Sequence, residues 1–306
     1  MSVRRERAVM SDDIQLKVYG EWTEEAAHEA SKGAFDQLVL HRGQQKDFSF
    51  LPPIAAHLRK LWIDCDSDSS AGLEQLPALE RLYLSCALPK PFDFRCMSGL
   101  RDLRIECWEA WYAKTLFAHP LLESLHIQGY SGLDAAAFVE MPRLASLSLT
   151  QGKLRDLAPL SRMALSRLQL GHLKGLSSIG ELGSMNSLQH LLLNEGLSGL
   201  KDLSPIQGLE QLETLVVTGA AAEVRGTAWL RRFTRLRELR LQSGVVVDHM
   251  ADLFVSPYLK KLAVVLAEPI PSLEDAALHQ AAGEGRIQEV VRFGTKKRPA
   301  LLITLA

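Results

Sequence analysis

The amino-acid sequence predicts an α/β solenoid, in which short parallel strands stack side by side and compact crossovers connect each strand to the next. The first observation behind this prediction is a six-residue pattern, hydrophobic-x-x-Leu-x-hydrophobic, that recurs eleven times in residues 35–264. The second is its period, because consecutive copies lie 21 to 24 residues apart. A period of this length accommodates one short strand and one tight turn, and it is typical of stacked repeat proteins.

The repeated hydrophobic positions explain why such units must stack. Side chains alternate between the two faces of a strand, so the leucine at position four and the hydrophobic residue at position six share one face. A single unit cannot bury that face alone, whereas stacked units bury it against one another. The central leucines of the copies are Leu38, Leu61, Leu82, Leu103, Leu125, Leu147, Leu168, Leu191, Leu215, Leu239 and Leu262.

The segments between the copies predict tight crossovers. Residues 154–160 and 200–206 combine closely spaced leucines with a proline, which favours 3₁₀ turns or very short helices. With these features, residues 35–264 resemble the leucine-rich repeat family. The resemblance implies about eleven repeats, a curved parallel sheet on a concave face, 3₁₀ turns or short helices on a convex face, and partner binding on the concave face.

The sequence departs from the family pattern at one position of the repeat. The family usually places Asn or Cys three residues after the second strand hydrophobe, and this chain has residues such as Ala87, Trp108 and Tyr130 there. We therefore expect adjacent turns to close through backbone hydrogen bonds or water rather than through a ladder of those side chains.

The two ends of the chain are predicted to cap the repeats. We expect residues 1–34 to form a mobile charged tail (1–12), a strand (14–18) and a helix that Thr23 caps and that runs to about Lys32. The solenoid is predicted to span residues 35–266. Residues 267–306 are predicted to form a helical cap, with helix over 273–293 and a terminal strand over 300–305. A truncated ankyrin unit over 277–291 is the alternative to a helical hairpin.

Composition excludes several classes of protein. Thirty-five basic and 36 acidic residues give a formal charge of −1, whereas a protein that binds phosphates normally carries a basic excess, so we expect no nucleic-acid partner. Four cysteines are too few for a disulfide scaffold. No apolar stretch follows the charged residues 1–10 and no apolar run reaches membrane-spanning length, so we expect no secretory leader, no membrane partner and a cytoplasmic location.

The search for catalytic motifs predicts no enzyme and no cofactor. Phosphate-binding glycine loops, paired zinc-binding histidines and nucleophile elbows are absent from the sequence. Cys65, Cys86 and Cys107 are each separated by 21 residues and should stack on consecutive turns. Two interpretations stay open. The thiols fill a tight bend, or they form a thiolate metal site or a Cys–His pair with His126 on the next strand.

Side chains that point away from the leucines are the candidates for partner binding, because burial does not explain their identities. Trp, Tyr and Arg next to carboxylates are typical of interface hot spots. Trp108, together with Trp111 and Tyr112, has the alternative of folding inward under a crossover. The predicted partner-binding residues are Trp62, Asp64, Tyr83, Arg104, Glu106, Trp108, His126 and Gln128, with a second candidate cluster at Arg237 and Arg240. A solvated basic face is the alternative for that second cluster.

The sequence therefore favours a non-enzymatic protein-binding module. Because stand-alone bacterial members of the family include immunity proteins, the resemblance implies a specific hypothesis, a bacterial immunity protein that neutralises a cognate toxin. The first alternative is a scaffold or secreted effector that recognises host or signalling proteins. The second is a metalloprotein or thiol enzyme that uses the column of Cys65, Cys86 and Cys107.

Overall fold

The computed structural model describes residues 2–8, 13–197, 200, 203–218, 224–225, 227–246, 250–254, 256–266, 287–295 and 298–305. They divide into two compact units. The first comprises residues 1–131 and 140–144, and the second comprises residues 132–139 and 145–306. Each unit is a stack of leucine-rich-repeat turns with a parallel sheet along one side, which confirms the predicted fold class.

The strands of the first unit are β1 (Ser2–Arg7), β2 (Ile14–Tyr19), β3 (Gln37–Gln45), β4 (Lys60–Ser67), β5 (Arg81–Leu84), β6 (Asp102–Ile105) and β7 (Ser124–Gln128). They follow one another in chain order across the sheet. β1 is antiparallel to β2, and β2 to β7 are parallel. Helix α1 (Glu24–Ser31) connects β2 to β3, and the short helix α2 (Ala113–Leu116) precedes β7.

The strands of the second unit are β8 (Ser146–Thr150), β9 (Arg167–Gly171), β10 (His190–Leu193), β11 (Thr214–Val217), β12 (Val224–Arg225), β13 (Glu238–Val246), β14 (Lys261–Leu266), β15 (Ile287–Thr295) and β16 (Arg298–Leu305). β8 to β11, β13 and β14 are parallel neighbours, and the two-residue β12 pairs with β13. β16 lies antiparallel between β14 and β15.

The register of the strands aligns the repeated leucines. Leu38 lies opposite Leu61, which lies opposite Leu82, and the alignment continues through Leu103 and Leu125. All eleven central leucines lie in strands, and each is at most 2% exposed. Full burial of one leucine side chain contributes about 1.5–3 kcal/mol, so the aligned leucines are the main source of stability in each unit.

Short 3₁₀ helices form the crossovers, as the sequence predicts. Several begin at or next to a proline, where the fixed φ angle suits the first turn and the missing N–H group leaves no hydrogen bond unmade. Among the described residues, no helix is both long and apolar enough to cross a membrane. The 3₁₀ helices are Pro52–Ile54, Leu73–Gln75, Phe94–Cys96, Ala110–Tyr112, Ala136–Glu140, Ala158–Arg162, Gly180–Ser184, Ser204–Gly208, Ala228–Arg232 and Met250–Phe254.

The structure confirms some predictions for the chain ends and corrects others. Thr23 caps α1 by accepting a hydrogen bond from the Ala26 N–H group, and the predicted terminal strand lies within β16. The expectation of a mobile tail is wrong for residues 2–7, because they form β1. The expectation of helix is wrong for residues 287–293, which lie in β15, while 267–286 lie outside the described residues. The division at residues 34 and 266 stays a prediction.

Two crossovers of the second unit approach each other through glycines. A Cβ atom added to Gly183 would lie 2.3 Å from the Pro205 carbonyl oxygen, and one added to Gly208 would lie 2.3 Å from the Gly183 carbonyl oxygen. The 3₁₀ helices Gly180–Ser184 and Ser204–Gly208 therefore pack backbone against backbone, with no room for a side chain between them.

We expect Gly183→Ala to lower the free energy of unfolding by about 1–3 kcal/mol, because the methyl group meets backbone that cannot move aside. The matched control is Gly180→Ala in the same 3₁₀ helix, where the nearest atom to an added Cβ is the Ser178 Oγ at 3.5 Å. Urea unfolding followed by circular dichroism measures both. Equal losses of stability in the two variants would show that this close approach does not exist.

Candidate functional site

One row of outward side chains crosses the middle of the sheet in the first unit. It consists of Trp62, Tyr83, Arg104 and His126, each between the two buried hydrophobic residues of its strand, and we call it the central column. Arg104 is exposed and the other three are half-buried. The period of two along each strand places all four on the open face of the sheet, opposite the leucine core.

Three side chains of the central column, Trp62, Tyr83 and Arg104, pack against one another. The Trp62 and Tyr83 ring centroids are 4.7 Å apart with their planes tilted by 51°. The Arg104 Cζ atom lies 4.7 Å from the Tyr83 ring centroid, within the range of a cation–π interaction. These contacts join residues that are 21 positions apart in sequence and hold their side chains in fixed positions.

Hydrogen bonds to Glu106 complete this arrangement. The Tyr83 hydroxyl donates to the Glu106 Oε1 atom, and the Arg104 Nη2 group donates to the same oxygen at 3.1 Å. The Trp62 indole N–H group donates to the Ser85 Oγ atom at 2.9 Å. The outward side chains of β4, β5 and β6 are thus connected before any partner binds.

The protonation states of this network follow from burial and hydrogen bonding. Burial raises the pKa of the Tyr83 hydroxyl to about 12, and its hydrogen bond to Glu106 acts in the same direction. Burial opposes ionisation of Glu106, but hydrogen bonds from Tyr83, Ser85 and Arg104 outweigh it and hold the carboxyl pKa below its ordinary value. At neutral pH, Tyr83 is therefore protonated and Glu106 is a carboxylate.

His126 ends the central column as a neutral ring. Burial lowers its pKa to about 4, and the positive charge of Arg104 acts in the same direction, while Glu106 opposes it. A neutral imidazole has one donor nitrogen and one acceptor nitrogen. Gln128, the last residue of β7, follows the buried Ile127 and is half-buried beside this end of the face.

Asp64, two residues after Trp62 in β4, belongs to a separate cluster. Its carboxylate pairs with the Nδ1 atom of His41, whose ring meets the Tyr19 ring edge to face with centroids 5.2 Å apart. Asp64 is thus engaged within the chain, and no contact of the described residues joins it to the Tyr83–Glu106 pair.

Trp108 is half-buried and packs partly inward, and its assignment to partner binding stays a prediction. Its ring contacts Tyr112, Phe117 and Tyr130, with centroids 5.5 to 6.0 Å apart, and its indole N–H group donates to the Ser131 Oγ atom at 3.1 Å. Tyr112 is fully buried, and its hydroxyl accepts a hydrogen bond from the Leu88 N–H group at 2.7 Å. These aromatic residues fill the space beneath the longer crossover, and Trp108 lies outside the central column.

A groove of about 560 Å³ runs along the open face beside the central column, and we call it the open-face groove. Its lysines have internal partners: Lys60 donates to both carboxylate oxygens of Asp13 at 2.7 Å, and Lys17 donates to Glu6 at 2.9 Å. Sequence reasoning did not single out these residues, although each precedes or follows a strand leucine. The lining includes Lys17, Lys60, Trp62, Arg81, Tyr83, Asp102 and Arg104.

The arginine cluster of the second unit is neutralised within the chain. Arg237 pairs with Glu213 at 3.3 Å, and Arg240 pairs with Glu238 at 2.6 Å. Glu213 is on the preceding turn, 24 residues before Arg237. The residues next to the arginines in sequence therefore do not predict this ion pair. Arg237 and Arg240 remain exposed and stay candidate binding residues.

The cysteine column forms a ladder of thiols and carbonyl groups. The Cys86 Sγ atom contacts the Cys65 carbonyl oxygen at 2.7 Å, and the Cys107 Sγ atom contacts the Ser85 carbonyl oxygen at 3.1 Å. Burial raises the pKa of Cys65 to about 12 and that of Cys86 to about 11. Within the described residues, no group of three metal-ligating side chains converges. The thiols thus supply part of the link between turns that was expected from backbone bonds or water.

The sequence matches no protein-family model and no curated protein. Among solved structures, the chain is similar to an internalin (inlF) of Listeria monocytogenes at 16% sequence identity and a TM-score of 0.49, with 80% of this chain and 85% of that chain covered. It is also similar to internalin C2 of the same species at 18% identity and a TM-score of 0.40, with 67% and 80% covered. The fold is established here by the registered strands, and these likenesses identify no partner.

The thiol ladder predicts selective alkylation of the cysteines. At about pH 8, roughly one Cys86 thiol in a thousand is ionised if its pKa is about 11, and only the thiolate reacts. We expect iodoacetamide to modify the exposed Cys96 while Cys65 and Cys86 stay unmodified, as measured by peptide mass spectrometry. The chain unfolded in guanidinium is the control, in which all four cysteines should react. Equal rates for Cys86 and Cys96 in the folded protein would contradict the ladder.

Proposed function

We propose that this protein is a non-enzymatic protein-binding module and that the open-face groove of the first unit receives its partner. The observation that carries the proposal is the closely packed and hydrogen-bonded set of Trp62, Tyr83, Arg104 and Glu106. Trp, Tyr and Arg are the residue types that dominate interface hot spots. Here they line a groove although the leucine core does not need them for burial.

The internal hydrogen bonds of this set favour tight association. A side chain that is ordered before binding loses less conformational entropy when the partner arrives. The Trp62 and Tyr83 rings are held by their contact with each other and by hydrogen bonds to Ser85 and Glu106. Arg104 keeps 51% of its side chain exposed and uses Nη2 on Glu106, so further N–H groups can meet a carboxylate of the partner.

Protonation states argue against the thiol-enzyme alternative. Thiolates are the reactive form of cysteine, and burial raises the pKa of Cys65, Cys86 and Cys107. A nucleophilic cysteine needs the opposite shift. We therefore propose that the cysteine column stabilises the stack of turns and takes no part in catalysis.

We further propose that the partner is a toxin that the protein neutralises in the bacterial cytoplasm. A preformed groove suits a partner that must be held tightly and kept inactive. A scaffold or a secreted effector would use the same surface for a host or signalling protein. The residues of the groove support a binding function but do not distinguish a toxin from a host or signalling protein. Identification of the partner distinguishes these hypotheses.

To test the toxin hypothesis, the chain is co-expressed with the product of its neighbouring gene. We expect a stable complex on size-exclusion chromatography and survival of cells in which the neighbour alone arrests growth. A neighbour that is neither bound nor toxic would remove the toxin hypothesis and leave the binding module in place.

We expect the double variant Trp62→Ala/Tyr83→Ala to weaken partner binding by more than about 1 kcal/mol, because it removes both aromatic rings that line the groove. Isothermal titration calorimetry with the purified partner measures the loss, and circular dichroism verifies the fold. The matched control is Tyr258→Ala, which removes a tyrosine that is 60% exposed in the second unit. Unchanged affinity of the double variant would place the interface outside the open-face groove.

A further inference from the structure

A third tryptophan, Trp111, lies outside the open-face groove. It belongs to the 3₁₀ helix Ala110–Tyr112, on the crossover that follows β6, and it is half-buried. Its ring packs against the Tyr112 ring with centroids 4.5 Å apart. Trp111 does not line the open-face groove, and its contact with Tyr112 leaves it partly exposed.

Trp111 lines a second groove, of about 670 Å³, that three consecutive crossovers of the first unit form. We call it the crossover groove. Its apolar lining residues include the half-buried Trp111 and the exposed Pro91, while Phe92 is largely buried. Hydrogen bonds from the Ser70 hydroxyl to the Pro91 carbonyl oxygen (3.0 Å) and from the Phe94 N–H group to the Thr115 hydroxyl (3.4 Å) join the crossovers. Its walls are thus tied to one another before any ligand binds.

The charges around this groove are unequally engaged. Its two acidic residues have internal partners, because Asp93 accepts several hydrogen bonds from Arg95 and Glu74 accepts one from the Gly72 N–H group at 3.0 Å. The Lys90 ammonium lies 5.6 Å from the Trp111 ring centroid, and Lys114 also lines the groove. Among the described residues, neither lysine forms an ion pair. The groove therefore presents two unpaired cations beside an aromatic ring.

We propose that the crossover groove binds an extended acidic peptide segment of another protein. An aromatic or aliphatic side chain of that segment packs on Trp111 and Pro91, and its Asp or Glu carboxylates pair with Lys90 and Lys114. The volume lies within the range of about 300–1,000 Å³ that is usual for ligand pockets. Three crossovers about 5 Å apart span roughly three residues of extended chain, which suits a short linear segment. This site is independent of the open-face groove.

The test is selection of random linear peptides displayed on phage against the full-length chain. We expect the enriched peptides to combine acidic residues with an aromatic or aliphatic one. Retention of the enriched pool should fall by about tenfold on Trp111→Ala and on Lys114→Glu, because each change removes one half of the recognition. Lys114 is exposed, so its variant should keep the fold even if Trp111→Ala disturbs the packing on Tyr112.

Two further variants serve as controls. Lys153→Glu makes the same change in charge at an exposed lysine of the second unit, and Trp62→Ala removes the tryptophan of the open-face groove. Both should retain the pool fully. A pool that depends on Trp62 and not on Trp111 would overturn this proposal and support the open-face site. A basic pool, or no enriched pool, would also overturn it.

Discussion

The alternation of side chains along registered parallel strands is the constraint on which the rest of this structure depends. One side of each strand carries leucines that are buried only when the next turn stacks on them. Because the register aligns Leu82 with Leu61 and Leu103, the stack leaves the opposite side chains in equally regular rows. The core therefore determines where outward residues lie without determining what they are.

That freedom accounts for the composition of the open face. Trp62, Tyr83 and Arg104 are brought into contact by the stacking of turns, although each is separated from the next by 21 residues in sequence. Glu106 then joins the tyrosine and the arginine through one carboxylate oxygen. Trp62, Tyr83 and Arg104 belong to strands, so their contacts need no loop to become ordered.

The sequence predicted the stacked strands and their outward rows because a period of two fixes the direction of every strand side chain. It did not predict whether Trp108 and Trp111 point inward or outward, because crossover residues have no such period and many of their contacts come from neighbouring turns. The sequence also left undecided whether Cys65 and Cys86 have a structural or a chemical role, because the thiols contact backbone carbonyl groups that no side-chain pattern reveals. The sequence did not predict the strand over residues 287–295. It favoured a helix over residues 273–293, whereas the antiparallel pairing with β16 shows a strand.

The most direct measurement of this division between core and face compares Leu103→Ala with Arg104→Ala, adjacent residues of β6 that point to opposite sides. We expect Leu103→Ala to lower the free energy of unfolding by about 2–5 kcal/mol, because it empties part of the buried column. Arg104→Ala should cost less than about 1 kcal/mol, because its ion pair is exposed. Urea unfolding measures both. Comparable losses would contradict the conclusion that side chains of the open face contribute little to the stability of the fold.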